Sequence, residues 1–431
     1  MNKILYSSYY HSQAKYQLNI CSLQENIITD ICIIGAGFTG INTAIELANL
    51  GLSCVVLEAQ DLGFGASGHN GGQLIRGLGH NLSKFTPLIG VEAVKTLEIL
   101  GIHSIELVKN RIKQFNIKCD FVTGYCDLAN HPKNYADFQN ELEHLTSLNY
   151  QHTLKLIPQA DMMQIVGSSN YYGGLLDMGS GHLSPLNLLL GEAQAAQSMG
   201  VQIFTNSKVT NINYADKITV QTAQGTVITD KLVFACNAYI DGLNNYLDSK
   251  ILPAGSYIIV TEVLDDALLH KMIPQNLALC DQKIALDYFR LTADNRLLFG
   301  GACHYSGRDP HDIKAYMRKK MLKVFPYLSD INIDFSWGKM IGIGANRLPQ
   351  IGRLANHPNV YYAQGYAGHG LNTTHLAATL LANEISGKSS EFAIFDKVPH
   401  ISFPGGKYLR SYLLALGMCW QQIKQQINNC L

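Results

Sequence analysis

Residues 31–40 read ICIIGAGFTG and residues 54–60 read CVVLEAQ, and together they constrain the fold more than any other part of the chain. Gly35, Gly37 and Gly40 have G-x-G-x-x-G spacing directly after the apolar run Ile31–Ile34, which suits a buried parallel strand. Ile41, Ala44, Ile45 and Ala48 then recur at helical spacing, so the glycines sit at a strand-to-helix turn. There Gly35 permits the tight turn, Gly37 lets a pyrophosphate approach the backbone, and Gly40 lets helix and strand pack closely. The helix N-terminus, with Phe38 and Thr39 in its first turn, supplies amide donors. Cys54–Leu57 reads as the second strand. Glu58 at its C-terminal end, followed by Ala59, can accept both hydroxyls of an adenosine ribose and would repel a 2′-phosphate. The pattern predicts an adenine dinucleotide and argues against NADP.

The chain has 431 residues, too many for one core, so two interleaved domains are expected. Lys plus Arg equals Asp plus Glu at 33 each, which leaves no field of one sign to attract nucleic acid or an anionic membrane. A small molecule is the expected partner. The ten cysteines are scattered with no C-x-x-C, and Cys32 and Cys54 fall in expected buried strands, so they read as reduced core thiols. The first 29 residues lack the basic start and apolar core of a signal peptide, and no apolar run reaches membrane-spanning length. A cytoplasmic protein is the expectation.

A second glycine-rich stretch, GFGASGHNGGQLIRGLG at Gly63–Gly79, interleaves Ser67, Asn70 and Gln73 with glycines that include Gly71 and Gly72, which predicts a second cofactor contact. Segments 91–118 and 136–149 read as helices. A further helix starts at Ser184 as N-cap, with Pro185 at its first position, and ends at Gly200. Short strands follow at Val201–Phe204, Val209–Ile212, Ile218–Thr222, Val227–Ile228 and Leu232–Cys236, consistent with a return to the nucleotide domain, where Val209 is a candidate contact. Asp287–Leu291 and Arg296–Phe299 form a hairpin in which Tyr288 and Arg290 share one face and Phe289 and Leu291 the other. After the strand Val360–Ala363, the residues QGYAGHGL make a third glycine turn. Gly365, Tyr366, Gly368, His369 and Gly370 lead into a helix with Leu371, Leu376, Ala377 and Leu380 on one side. The spacing of His369 and His375 fits no common metal-ligand pattern, so no metal is expected. Leu409, Tyr412, Leu413, Leu416, Trp420, Ile423 and Ile427 form an apolar stripe on a C-terminal helix that suits docking on the protein itself or on a second subunit.

One glycine turn serves a nicotinamide dinucleotide, whereas three suit the longer FAD. The third helix N-terminus then stabilises negative charge gathering on a reduced flavin.

The set IGAGFTG, VVLEA, GFGASGHNGGQ, GGLLDMGSGHLSPLNL, ALDYFRLTADNRLLFGG and YYAQGYAGHG resembles the FAD-dependent D-amino-acid oxidase superfamily over nearly the whole chain. Within it the sequence is similar to the gamma-glutamylputrescine oxidases, including the end FPGGKYLR. The resemblance implies an α/β fold: a Rossmann-like FAD-binding domain of residues 30–90, 165–248 and 337–400, and an α+β substrate domain on a large mixed sheet, residues 91–164 and 249–336. Residues 1–29 would be an N-terminal extension and 401–431 a helical tail. It also implies oxidation of an amine CH–NH bond to an imine, hydrolysis to aldehyde and ammonia as in putrescine catabolism, and reoxidation by oxygen to peroxide.

Amino-acid oxidases of this superfamily clamp the substrate carboxylate with an arginine just past a tryptophan. Here that stretch reads Trp337-Gly338-Lys339-Met340-Ile341, which favours an amine, with Arg290 or Arg347 left for a carboxylate farther from the reacting carbon. Tyr288 and Arg290 are assigned to the substrate, and His369 and Gln73 to the flavin border. FAD is expected to bind noncovalently, with a link through His69 as the alternative. Three other readings stay open: a dehydrogenase passing electrons to a quinone or an electron-transfer protein, an NAD-linked dehydrogenase, and a non-catalytic FAD module.

Overall fold

The computed structural model describes residues 8–283, 285–304, 310–388, 391–404 and 410. The apolar stripe expected on the C-terminal helix lies outside them. Two sheets organise the described residues. The first has eight strands, with the order 350–354, 357–364, 226–234, 26–34, 54–57, 202–204 along its main path. Its centre is parallel: Ile34 aligns with Leu57 on one side and with Phe234 on the other. These strands are apolar and buried on both faces, as a parallel sheet covered by helices requires. On one side Phe38–Asn49, Val91–Gln114 and Gly370–Ile385 pack into a single core that also contains Ile31, Ile33 and Val56.

The second sheet has nine strands, ordered 333–343, 252–261, 297–304, 287–291, 278–281, 122–128, 173–182, 73–74, with 154–158 beside 173–182. It is mixed: 278–281 runs parallel to 122–128, and the hairpin strands 287–291 and 297–304 pair antiparallel. Gln73 and Leu74 pair with His182 and Gly181 at its edge, so the glycine-rich loop after the first sheet runs directly into the second. The strands Gly173–His182 and Ile333–Ile343 both belong to this sheet, and the boundary expected at 337 falls inside the second of them.

Several local expectations shift. Val227–Ile228 and the first part of the strand expected at Leu232–Cys236 belong to one nine-residue strand, Thr226–Phe234, because positions 226–229 and 231–234 all pair with the strand at 26–34. The strand expected at Val209–Ile212 runs Asn211–Asn213. Ser184 occupies the N-cap of helix Pro185–Ser198, yet its hydroxyl makes no cap hydrogen bond. The N-terminal segment is part of the fold: Tyr9 and Tyr10 are buried in a cluster with Leu186, Ile258, Val260, Leu298 and Trp337.

Candidate active site

The three glycine turns open on one cavity of about 1340 Å³ between the sheets. That exceeds the roughly 300–1,000 Å³ of ordinary small-ligand pockets and suits a long cofactor together with a substrate. At the first turn Gly35 has φ +104°, and a side chain on Gly40 would meet the Gly35 carbonyl at 1.9 Å, so helix Phe38–Asn49 sits too close to its strand for any residue but glycine. Gly37 at the N-cap brings no side chain to this helix, whose first turn lines the cavity, and Phe38 N–H donates to Ser67 Oγ at 3.0 Å. Glu58 accepts from Ala36 N–H at 2.9 Å and from Gln60 N–H at 3.0 Å. Burial pushes its carboxyl pKa upward against these bonds, and each oxygen keeps a lone pair for a ribose hydroxyl.

In the second loop Asn70 donates to the Ala66 and Ser67 carbonyls and accepts from Gly72 N–H, which fixes the backbone that Gly71 presents to the cavity. Gln73 reaches across to the Leu279 carbonyl at 3.0 Å. The Tyr288 ring packs closely against backbone: a side chain on either Gly71 or Gly300 would overlap it. The third turn is tied to the first by the Tyr366 and Thr39 hydroxyls. Gly365 N–H donates to Asn237 Oδ1 at 3.0 Å. His369 is the N-cap of helix Gly370–Ile385; it gives its Nε2 proton to the Ile75 carbonyl, and burial lowers its pKa to about 4, so the ring is neutral.

Gly35, Gly37, Phe38, Thr39, Glu58, Ala59, Ser67, Asn70, Gly71, Gln73, Val209, Tyr288, Tyr366, Gly368, His369, Gly370 and Leu371 all line this cavity. Gly40, Gly72 and Gly365, expected at the cofactor, do not line it. The two helix N-termini, the acidic strand end and the glycine backbones make a lining whose chemistry fits FAD.

Arg290 requires correction. It does not line the cavity, because its side chain turns into the protein and donates to the Gly71, Leu183 and Leu291 carbonyls and to the Tyr10 hydroxyl. It is 4 % exposed and does not reach the space where a substrate was expected to meet it. Arg347, exposed and held at φ +61°, does line the cavity. His375 faces the core, with Nε2 2.7 Å from Glu192 and Nδ1 2.8 Å from the Leu371 carbonyl. Asn237, His80 and Lys339 also line the cavity and escaped the sequence reading. For Asn237 the signal was its place just past a buried strand.

The family described as FAD dependent oxidoreductase, DAO, matches residues 30–384. The gamma-glutamylputrescine oxidoreductase of Escherichia coli strain K12 is 37 % identical over 422 residues, covering 98 % of each chain. A probable oxidoreductase, OrdL, of Haemophilus influenzae is 36 % identical over 95 % of each chain. Among solved structures, L-proline dehydrogenase from P. horikoshii superposes with a TM-score of 0.73 at 21 % identity, covering 86 % of this chain and 97 % of that one. Glycine oxidase from Geobacillus kaustophilus gives 0.73 at 18 % identity, covering 88 % and 100 %. Among the described residues no helix is long and apolar enough to cross a membrane.

Proposed function

The chain belongs to the DAO family of FAD-dependent oxidoreductases, and from that premise we propose that it oxidises a primary amine, with γ-glutamylputrescine as substrate. The observation that carries this reading is Ile341. It lines the cavity next to the third glycine turn, its Cδ1 3.6 Å from where a side chain on Gly368 would begin. In the amino-acid oxidases this chain resembles, that position holds the arginine that clamps an α-carboxylate. An aliphatic side chain there leaves such a carboxylate buried and unpaired.

FAD, when bound, supplies the two-electron acceptor for the carbon bearing the amine. The protein's part is placement and desolvation. The Tyr288 ring and Gln73 wall the space next to the flavin region, and the low-polarity surroundings that depress the His369 pKa equally favour a neutral substrate amine. The carbon and nitrogen each give up one hydrogen, and water converts the imine to γ-glutamylaminobutyraldehyde and ammonia. Oxygen takes the electron pair with two protons as hydrogen peroxide. Arg347 at the cavity rim suits the carboxylate at the far end of the γ-glutamyl group.

The test is anaerobic mixing with γ-glutamylputrescine followed by air. Bleaching of the yellow colour, release of aldehyde and ammonia, and return of colour with peroxide support the reading. Bleaching with no return in air replaces oxygen by a quinone or an electron-transfer protein; no bleaching overturns the substrate.

A further inference from the structure

Arg290 is a buried cation without an anion. Its Nε–H donates to the Gly71 carbonyl at 2.7 Å, one Nη1–H to Leu291 at 3.0 Å, and the two Nη2–H to Leu183 at 2.9 Å and to Tyr10 Oη at 3.2 Å. Among the described residues no carboxylate pairs with it. Asp294, on the turn of the same hairpin, is taken up by Arg296 at 2.8 Å, by Thr292 at 2.7 Å and by the Tyr9 hydroxyl. A guanidinium does not lose its proton in a protein, and carbonyl dipoles solvate the charge without cancelling it. The neighbouring side chains register it: the charge adds to burial in holding His182 down at about 3, and it opposes the rise of the Tyr10 phenol.

The charge stands one carbonyl behind the cavity wall. Gly71 lines the cavity, and a side chain on Gly72 would lie 2.8 Å from Arg290 Nη2. Tyr10, fully buried and protonated, passes the same anchorage on by donating to the Asn70 carbonyl at 2.8 Å. The hairpin, through Arg290, and the N-terminal segment, through Tyr10, thus hold the Gly71 and Asn70 carbonyls from behind.

We propose that Arg290 is a positioning residue that, with Tyr10, holds the Asn70–Gly71 backbone against the flavin and whose unneutralised charge favours the reduced, more negative cofactor, raising its reduction potential. Tyr10 shares the first role and not the second. The inference rests on FAD occupying the cavity and is independent of which amine is oxidised, so it is tested without substrate.

The experiment measures the FAD midpoint potential by dye equilibration, and FAD affinity by titration, in holoenzyme carrying Arg290→Gln, Arg290→Lys or Tyr10→Phe. Arg290→Gln is expected to bind FAD more weakly and to shift the potential of the FAD it retains to more negative values. Arg290→Lys keeps the charge but not the fork, so affinity falls while the potential holds; Tyr10→Phe behaves the same way. Should Arg290→Gln fail to retain FAD, Ala293→Glu places a counter-charge on the exposed turn that shares a second cavity of about 440 Å³ with Arg290, and the same negative shift is expected with the fork intact. A wild-type potential in Arg290→Gln or, in its place, Ala293→Glu overturns the proposal, as does an equal shift in Arg290→Lys.

Discussion

The Thr39 and Tyr366 hydroxyls lie 2.7 Å apart in the buried seam between the first and third glycine turns, 327 residues apart in the chain. This bond joins helix Phe38–Asn49 to the turn that leads into helix Gly370–Ile385. Burial holds the Tyr366 phenol protonated, so the bond persists at neutral pH. Thr39→Val leaves that hydroxyl buried without its partner, at a cost of about 1–3 kcal/mol. A lower melting temperature and faster loss of FAD on gel filtration are expected, with partial recovery in Thr39→Val/Tyr366→Phe. A single variant as stable as wild type would remove the bond from the account.

Glu58 accepts two backbone amides and is expected to accept the ribose as well. Glu58→Ala therefore removes cofactor contacts worth up to about 1.5–3 kcal/mol each and orphans the Ala36 and Gln60 amides. FAD affinity, titrated on deflavinated protein, should fall by about a hundredfold. Unchanged affinity would take the ribose away from Glu58.

FAD should come free on acid precipitation, leaving a colourless pellet. His69 lines the cavity with its Nδ1 proton given to the Gly63 carbonyl at 2.9 Å, and its Nε2 has no partner among the described residues. A yellow pellet would point to a covalent bond at that nitrogen.

Stability should fall as the pH drops below about 6.5. Burial depresses His69 and His369 to about 4 and His182 to about 3, below the ordinary histidine value near 6.5 that an unfolded chain shows. Between those values the unfolded state binds more protons, so the contribution is complete above the unfolded pKa and is lost through the window below it. His182→Gln should flatten the slope of unfolding free energy against pH by up to about 1.4 kcal/mol per unit between pH 6 and 4. An unaltered slope would mean that His182 is not buried neutral.

The nucleotide half was legible because its signals are local. Ile31–Ile34, the glycines at 35, 37 and 40, and Glu58 all fall within one strand-helix-strand unit, and each glycine turn announces itself over a few residues. Arg290 was misread because alternation along the hairpin gives its face and not its partners: the carbonyls of Gly71 and Leu183 and the hydroxyl of Tyr10 come from three distant parts of the chain. The strand Gly173–His182 was hidden by its four glycines, a composition poor in strand formers that the sheet tolerates because neighbouring side chains fill the space. Tyr9 and Tyr10 gave no warning of burial, since two adjacent aromatics at a chain end carry no periodicity.

The central claim is the choice of an amine over an α-amino acid, and the rate of anaerobic flavin bleaching tests it most directly. γ-Glutamylputrescine should bleach the flavin at least about a hundredfold more efficiently than glycine, sarcosine or D-alanine, because Ile341 offers their carboxylate no partner. Putrescine should fall between, and Arg347→Ala should narrow the gap between putrescine and γ-glutamylputrescine by about tenfold by removing the remote anchor. Sarcosine or D-alanine matching γ-glutamylputrescine would contradict the account.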